Sequence, residues 1–158
     1  MSHNDPSPRL DIRTLAPAAH RAYLAFHTAV EGLGLERGLL ELIKIRASQI
    51  NGCAFCLDMH TIDARAHGER EQRIYALSAW REAPFFSARE RAALAWTEAV
   101  THIATAHPSD AAFAAAKEQF DDAELAALTL AIVAINGWNR VAIASGAVAG
   151  TYRPATTG

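Results

Sequence analysis

From Pro17 to about Val148, apolar residues return every three or four positions, the period of helices with one face turned inward. Tyr23, Phe26, Val30 and Leu33 mark a first helix; Pro17 suits its opening turn, and Gly32 and Gly34 its close. Leu39, Leu42, Ile43, Ile45 and Ile50 give the apolar face of a second, from about Glu36 to Ile50. Asn51-Gly52 breaks that helix. A third begins at or just after Cys53 and reaches His67, with Gly68 as its C-cap. A short helix is predicted at about 71–80, before a turn at Pro84. Ser87-Ala88-Arg89-Glu90 reads as a capping box ahead of Leu94, Trp96 and Val100. His107-Pro108-Ser109 ends that region and caps a helix at about 111–119.

The last helix, from about Asp122 to Val148, is apolar nearly all round, which predicts burial on most sides. In a domain of this size a subunit interface would complete that burial. No strand alternation longer than a few residues competes. The pattern therefore predicts an all-α, single-domain helical bundle of about six to seven helices over residues 16–152. A weakly ordered N-terminal segment, 1–15, and a tail, 153–158, flank it. A homo-oligomer is expected.

Composition narrows the function classes. The chain has 158 residues, 51% of them hydrophobic, and a formal net charge of -2. That length buries about 70% of the unfolded surface without staples. With no basic excess, neither nucleic acid nor an anionic membrane is an expected partner. Met1 to Leu10 lacks the apolar core of a signal peptide, and Leu125–Ile135 is too short to span a bilayer, so a cytoplasmic location is expected. No Gly-rich dinucleotide fingerprint appears, and no cofactor is expected.

The chemistry concentrates in Cys53-Ala54-Phe55-Cys56-Leu57-Asp58-Met59-His60, which holds both cysteines of the chain. A dithiol at this spacing can cycle between reduced and disulfide forms, and a nearby imidazole can take a thiol proton. Residues three apart on a regular helix have Cβ atoms about 5–6 Å apart, while a disulfide wants about 3.5–4.5 Å. The pair can close only if Cys53 precedes the first helical turn, as the Asn51-Gly52 break allows. Exposure at a helix end favours Cys53 as the attacking sulfur. His60 favours Cys56, which lies one turn away, whereas Cys53 lies a rise of about 10 Å away. With His60 as base, Cys56 is the nucleophile and Cys53 resolves.

Glu41, on the preceding helix among Leu40, Leu42 and Ile43, is the candidate that orients His60. The alternative is an exposed Glu41 paired with Lys44 or Arg37. Cys53, Cys56, His60 and Glu41 could also ligate zinc, but such sites usually add a second Cys/His pair, and there is no third cysteine. His20, His27, His67, His102 and His107 read as surface or packing residues. Trp80, Trp96 and Trp138 read as core. Asn136, Asn139 and Arg140 read as a hydrogen-bonded network rather than catalytic groups.

Glu41, Cys53, Cys56 and His60, spaced E-x11-C-x2-C-x3-H, resemble the active-site signature of the alkyl hydroperoxidase D-like proteins of the carboxymuconolactone decarboxylase superfamily. So do the runs from Glu41 to Gly52 and from Ile135 to Arg140, and the similarity covers about residues 20–150. The resemblance implies a helical subunit forming trimers or hexamers and a thiol peroxidase acting on alkyl hydroperoxide or hydrogen peroxide. Cys56 would attack, Cys53 resolve, and His60 and Glu41 relay the proton; an external dithiol or protein reductant would reset the pair. One position departs: Phe55 stands where the best-known hydroperoxidase D enzymes have histidine. The superfamily's decarboxylases lack the cysteine pair, so their reaction is not expected. A redox-responsive binding protein and a general disulfide oxidoreductase are the alternative readings.

Overall fold

The computed structural model describes residues 7–154, and among these all regular structure is helical. The elements are α1 (Ile12–Leu15), α2 (Pro17–Glu31), α3 (Arg37–Asn51), α4 (Ala54–Ala66), α5 (Glu71–Ala76) running into a 3-10 turn (Leu77–Ala79), α6 (Ala88–Thr101), α7 (Asp110–Lys117) and α8 (Asp122–Ser145). The single all-α bundle is as predicted, with one helix more than the expected range. The addition is α1, one turn capped by Asp11, whose side chain accepts from the Thr14 N–H. One turn is too short to leave a periodic signature. The weak order expected for 1–15 and 153–158 falls outside the described residues at 1–6 and 155–158.

The bundle is built around α3, which packs against α4, α6 and α8. Leu39, Leu40 and Ile43 face one apolar cluster, with Val30, Trp96, Phe120, Leu128 and Ile132. Leu42 and Ile45 face a second, with Ile74, Leu77, Trp80, Phe86 and Leu94. Every residue from Leu39 to Ile45 is consequently buried, including Glu41 and Lys44. A helix with two apolar sides has no solvent face along this stretch, so its polar residues must find partners inside.

The last helix is less enclosed than its composition predicted. Leu125, Leu128, Ile132, Ile135 and Asn139 face inward, while Leu130, Val133 and Ile143 face out. By length and composition α8 could cross a membrane, yet its inner face is the core of this bundle. It opens with a second capping box, Asp121 with Glu124. It ends at Ser145, short of Val148, because Gly146 takes a left-handed φ of 69° and the Ala147 N–H turns back to the Ala142 carbonyl.

Helix α2 docks on α8 through a close approach at Gly137. The Tyr23 hydroxyl donates to the Ala134 carbonyl at 2.8 Å. A Cβ at position 137 would lie 1.8 Å from that hydroxyl oxygen.

Candidate active site

The break between α3 and α4 carries the sulfurs. Gly52 adopts φ 69°, closing α3 in the left-handed conformation that glycine tolerates best. Cys53 follows in extended conformation as the N-cap of α4, its Sγ accepting the Cys56 N–H at 3.3 Å. This non-helical placement is what lets the pair close: Cys53 and Cys56 are joined as a disulfide, with Cα atoms 5.3 Å apart. Both are buried, at 1% and 2% exposure.

A polar network pins the break to α8. Asn51 Nδ2 donates to Asn136 Oδ1 and Asn139 Oδ1, both at 2.9 Å. Asn139 Nδ2 donates to Ser48 Oγ at 3.0 Å, and Asn136 Nδ2 to Thr101 Oγ1. Arg140 donates back to the Asn136 carbonyl. These contacts match the network reading of Asn136, Asn139 and Arg140.

His60 sits one turn beyond Cys56 on α4, buried at 5% exposure. Its Nδ1 lies 3.1 Å from Glu41 Oε2 on α3. Against an ionised carboxylate Nδ1 donates, which leaves Nε2 as an acceptor in the neutral ring. Burial pushes the Glu41 carboxyl up, but the His60 hydrogen bond and the Lys44 charge outweigh it and hold the group below the usual carboxylate range. Lys44 does pair with Glu41, at 3.2 Å, though inside the bundle rather than on an exposed face. It also contacts Glu31, which lies 3.3 Å from His27 Nε2. The hydrogen bond with His27 chiefly, then Lys44, lowers Glu31 to about 2 against the effect of its partial burial.

A cavity of about 480 Å³ opens beside the disulfide. Phe55, Cys56 and Met59 of α4 form one wall, and Trp138 and Val141 of α8 another; Leu10, Ile12 and Val148 add apolar surface. Cys56 lines this space and Cys53 does not. Asp11, Arg13 and His20 supply its charged and titratable side chains, and His20 meets the edge of Trp138 at 5.5 Å between ring centroids.

The four residues singled out in the sequence fall into two pairs, the sulfurs bonded to each other and Glu41 hydrogen-bonded to His60, with His60 one turn beyond Cys56 on α4. Among the described residues no three His, Cys, Asp or Glu side chains are arranged to hold a metal ion. One sequence reading changes. Trp138 is a cavity wall rather than core, unlike the buried Trp80 and Trp96. His20 also faces the cavity. The Glu41–Lys44 pair is the alternative the sequence offered, but enclosed, and Glu31 and His27 extend it; an i, i+3 Glu–Lys pair looks the same in sequence on an exposed helix, which is why the enclosure leaves no signal.

The family model described as "Carboxymuconolactone decarboxylase family" matches residues 17–99. An uncharacterized protein, YdfG, of Bacillus subtilis (strain 168) is 43% identical over 140 residues, 89% of this chain and 95% of that protein. A solved structure from Agrobacterium tumefaciens superposes with a TM-score of 0.89 at 42% identity, covering 92% of this chain and 100% of that one. That protein is of unknown function and provisionally assigned to antioxidant defence as AhpD. At 22% and 17% identity, an AhpD-core peroxidase-related protein from Ralstonia eutropha JMP134 and the debrominase Bmp8 share the fold, each with a TM-score of 0.76. They cover 91% and 87% of this chain, and 77% and 74% of their own lengths. The chain belongs to the carboxymuconolactone decarboxylase family, among its AhpD-like proteins.

Proposed function

We propose that this protein is a thiol-dependent peroxidase in which Cys56 attacks the peroxide and Cys53 resolves. The observation that carries the reading is the position of Cys56: it faces the cavity, is bonded to Cys53, and lies one turn from a histidine backed by a carboxylate. In the reduced enzyme His60 takes the Cys56 proton, and the thiolate attacks the O–O bond. An S–O bond forms, and the leaving oxygen departs as alcohol or water with the proton from His60. Cys53 then condenses with the sulfenic acid, releasing water and leaving the disulfide. A dithiol of low molecular weight or a protein reductant restores the thiols. The antioxidant assignment of the Agrobacterium tumefaciens relative supports this reading.

A homo-oligomer, a trimer or hexamer, belongs to the same proposal. The outward Leu130, Val133 and Ile143 of α8 supply apolar surface that assembly would cover.

The test is peroxide consumption by the reduced protein with dithiothreitol as reductant. Cys56→Ser is expected to abolish turnover, and Cys53→Ser, reduced beforehand and freed of dithiothreitol, to stop after one peroxide per site with a sulfenic acid retained on Cys56. Wild-type consumption by Cys56→Ser would remove the proposal. A stable oxidised form without turnover would instead support a redox-responsive binding protein.

A further inference from the structure

Lys44 is buried at 4% exposure, and no step of the thiol cycle uses it. A lone ammonium in such a place is strongly disfavoured unless it is paired. Here Nζ lies 3.2 Å from Glu41 Oε1 and also contacts Glu31 Oε1. The groups alternate in charge: Glu41, Lys44, Glu31. The row starts at His60 and ends at a carboxylate that is half-exposed at the close of α2.

We propose that Lys44 is a positioning residue: its ammonium, shared between Glu31 and Glu41, keeps Glu41 a carboxylate inside the bundle, and that carboxylate fixes His60 with Nε2 free to take the Cys56 proton. The inference rests on the reading of His60 as the base for Cys56.

Proton bookkeeping favours holding charge over exporting protons. Cys56 gives its proton to His60. The leaving oxygen takes that proton back as the S–O bond forms and the O–O bond breaks. The S–S bond then forms as the S–O bond breaks, and the Cys53 proton leaves in water. No net proton leaves along Glu41, so the row of charges has only to hold that carboxylate ionised.

Other groups face the same site. Across a second cleft Glu41 meets His67, Glu69, Arg70 and Arg73, but Arg73 is bridged to Glu69 and Glu90. From the C-terminal segment Tyr152 approaches, its hydroxyl donating to Asp63. His27 reaches the row only through Glu31. Cys56 shares its cavity with Asp11, Arg13 and His20. Among the described residues Lys44 is the one permanent cation within ion-pair distance of Glu41.

The experiment follows alkylation of Cys56 in the reduced protein by iodoacetamide, mapped by mass, across pH. Lys44→Met is expected to slow the reaction near neutral pH about tenfold, the effect of one unit of displacement, and to move the profile to higher pH. Lys44→Arg restores the wild-type profile. Glu31→Gln moves the profile the opposite way, because the ammonium then serves Glu41 alone. A purely structural role would move both variants in the same direction. A folded Lys44→Met protein with the wild-type profile overturns the inference. So does a Glu31→Gln profile that is unchanged or displaced to higher pH, which decides the matter even if Lys44→Met fails to fold. Because no peroxide enters the assay, absence of peroxidase turnover would count against the proposed activity and leave this result standing.

Discussion

Gly137→Ala tests how α2 is seated over the site. Alanine gains about 1 kcal/mol over glycine in a helix interior, so propensity alone predicts a more stable protein. The structure predicts the reverse. The new Cβ would stand 1.8 Å from the Tyr23 hydroxyl oxygen and 2.7 Å from Cζ, so the ring has to leave. Its hydrogen bond to the Ala134 carbonyl goes with it, a loss of about 1 kcal/mol. Overpacking adds about 1–3 kcal/mol. The balance is a destabilisation of about 2 kcal/mol, or roughly 4–8 °C in Tm for a chain of this length. Urea denaturation of wild type, Gly137→Ala, Tyr23→Ala and the double variant measures it. The double variant should be less damaged than the sum of the singles by about 1–2 kcal/mol, since the three atoms nearest the added Cβ all belong to the Tyr23 side chain. A stabilised Gly137→Ala protein, or strictly additive losses, would refute the close-approach argument. Trp138 packs on Tyr23 at 4.7 Å between centroids, so the same displacement should disturb the cavity wall.

Two further outcomes follow from the shifted groups. The Glu31 carboxyl is lowered from 4.5 to about 2, so its contribution to stability is present above about 4.5 and is lost as pH falls through about 2. Since the side chain is 41% exposed, solvent screening leaves this at about 1 kcal/mol; in urea titrations Glu31→Gln should be weaker than wild type by that amount near neutral pH and equal to it in strong acid, and a gap that persists there would contradict the assignment. Burial, followed by the hydrogen bond to Asp63, pushes the Tyr152 phenol up to about 12. Tyr152→Phe should remove the highest-pH component of the tyrosinate absorbance titration, and an unchanged component would place that phenol elsewhere.

Much of the fold is legible because helix signals are local. Pro17, the Ser87–Glu90 capping box and Gly68 mark boundaries by backbone chemistry that acts within one turn. The Cys53–His60 segment is legible for the same reason: its sulfurs and imidazole lie within two turns, and a disulfide between residues three apart requires the helix break seen at Gly52. What was misjudged is non-local. Trp138 carries the same apolar signature as Trp80 and Trp96, and only the packing of α1, α4 and the C-terminal segment around it makes it a cavity wall.

Helix α3 shows the limit of pattern reading most clearly. Glu41, Lys44, Ser48 and Asn51 recur at spacings of three and four, the usual signature of a stripe facing water. Apolar residues fill the two flanks, so the stripe is instead enclosed by neighbouring helices. Each polar group on it then needs a partner, and beside the local bonds of Lys44 to Glu41 and of Ser48 Oγ to the Lys44 carbonyl each takes one from another helix: Glu41 takes His60, Lys44 takes Glu31, Ser48 takes Asn139, and Asn51 takes Asn136 and Asn139. One end of the stripe sets the charge beside the imidazole; the other holds the turn that carries Cys53. The pairing that satisfies buried polar groups thus also ties Glu41 to His60 and the α3–α4 turn before Cys53 to α8, which is why a surface-like pattern in the sequence marks an enclosed polar row of the protein.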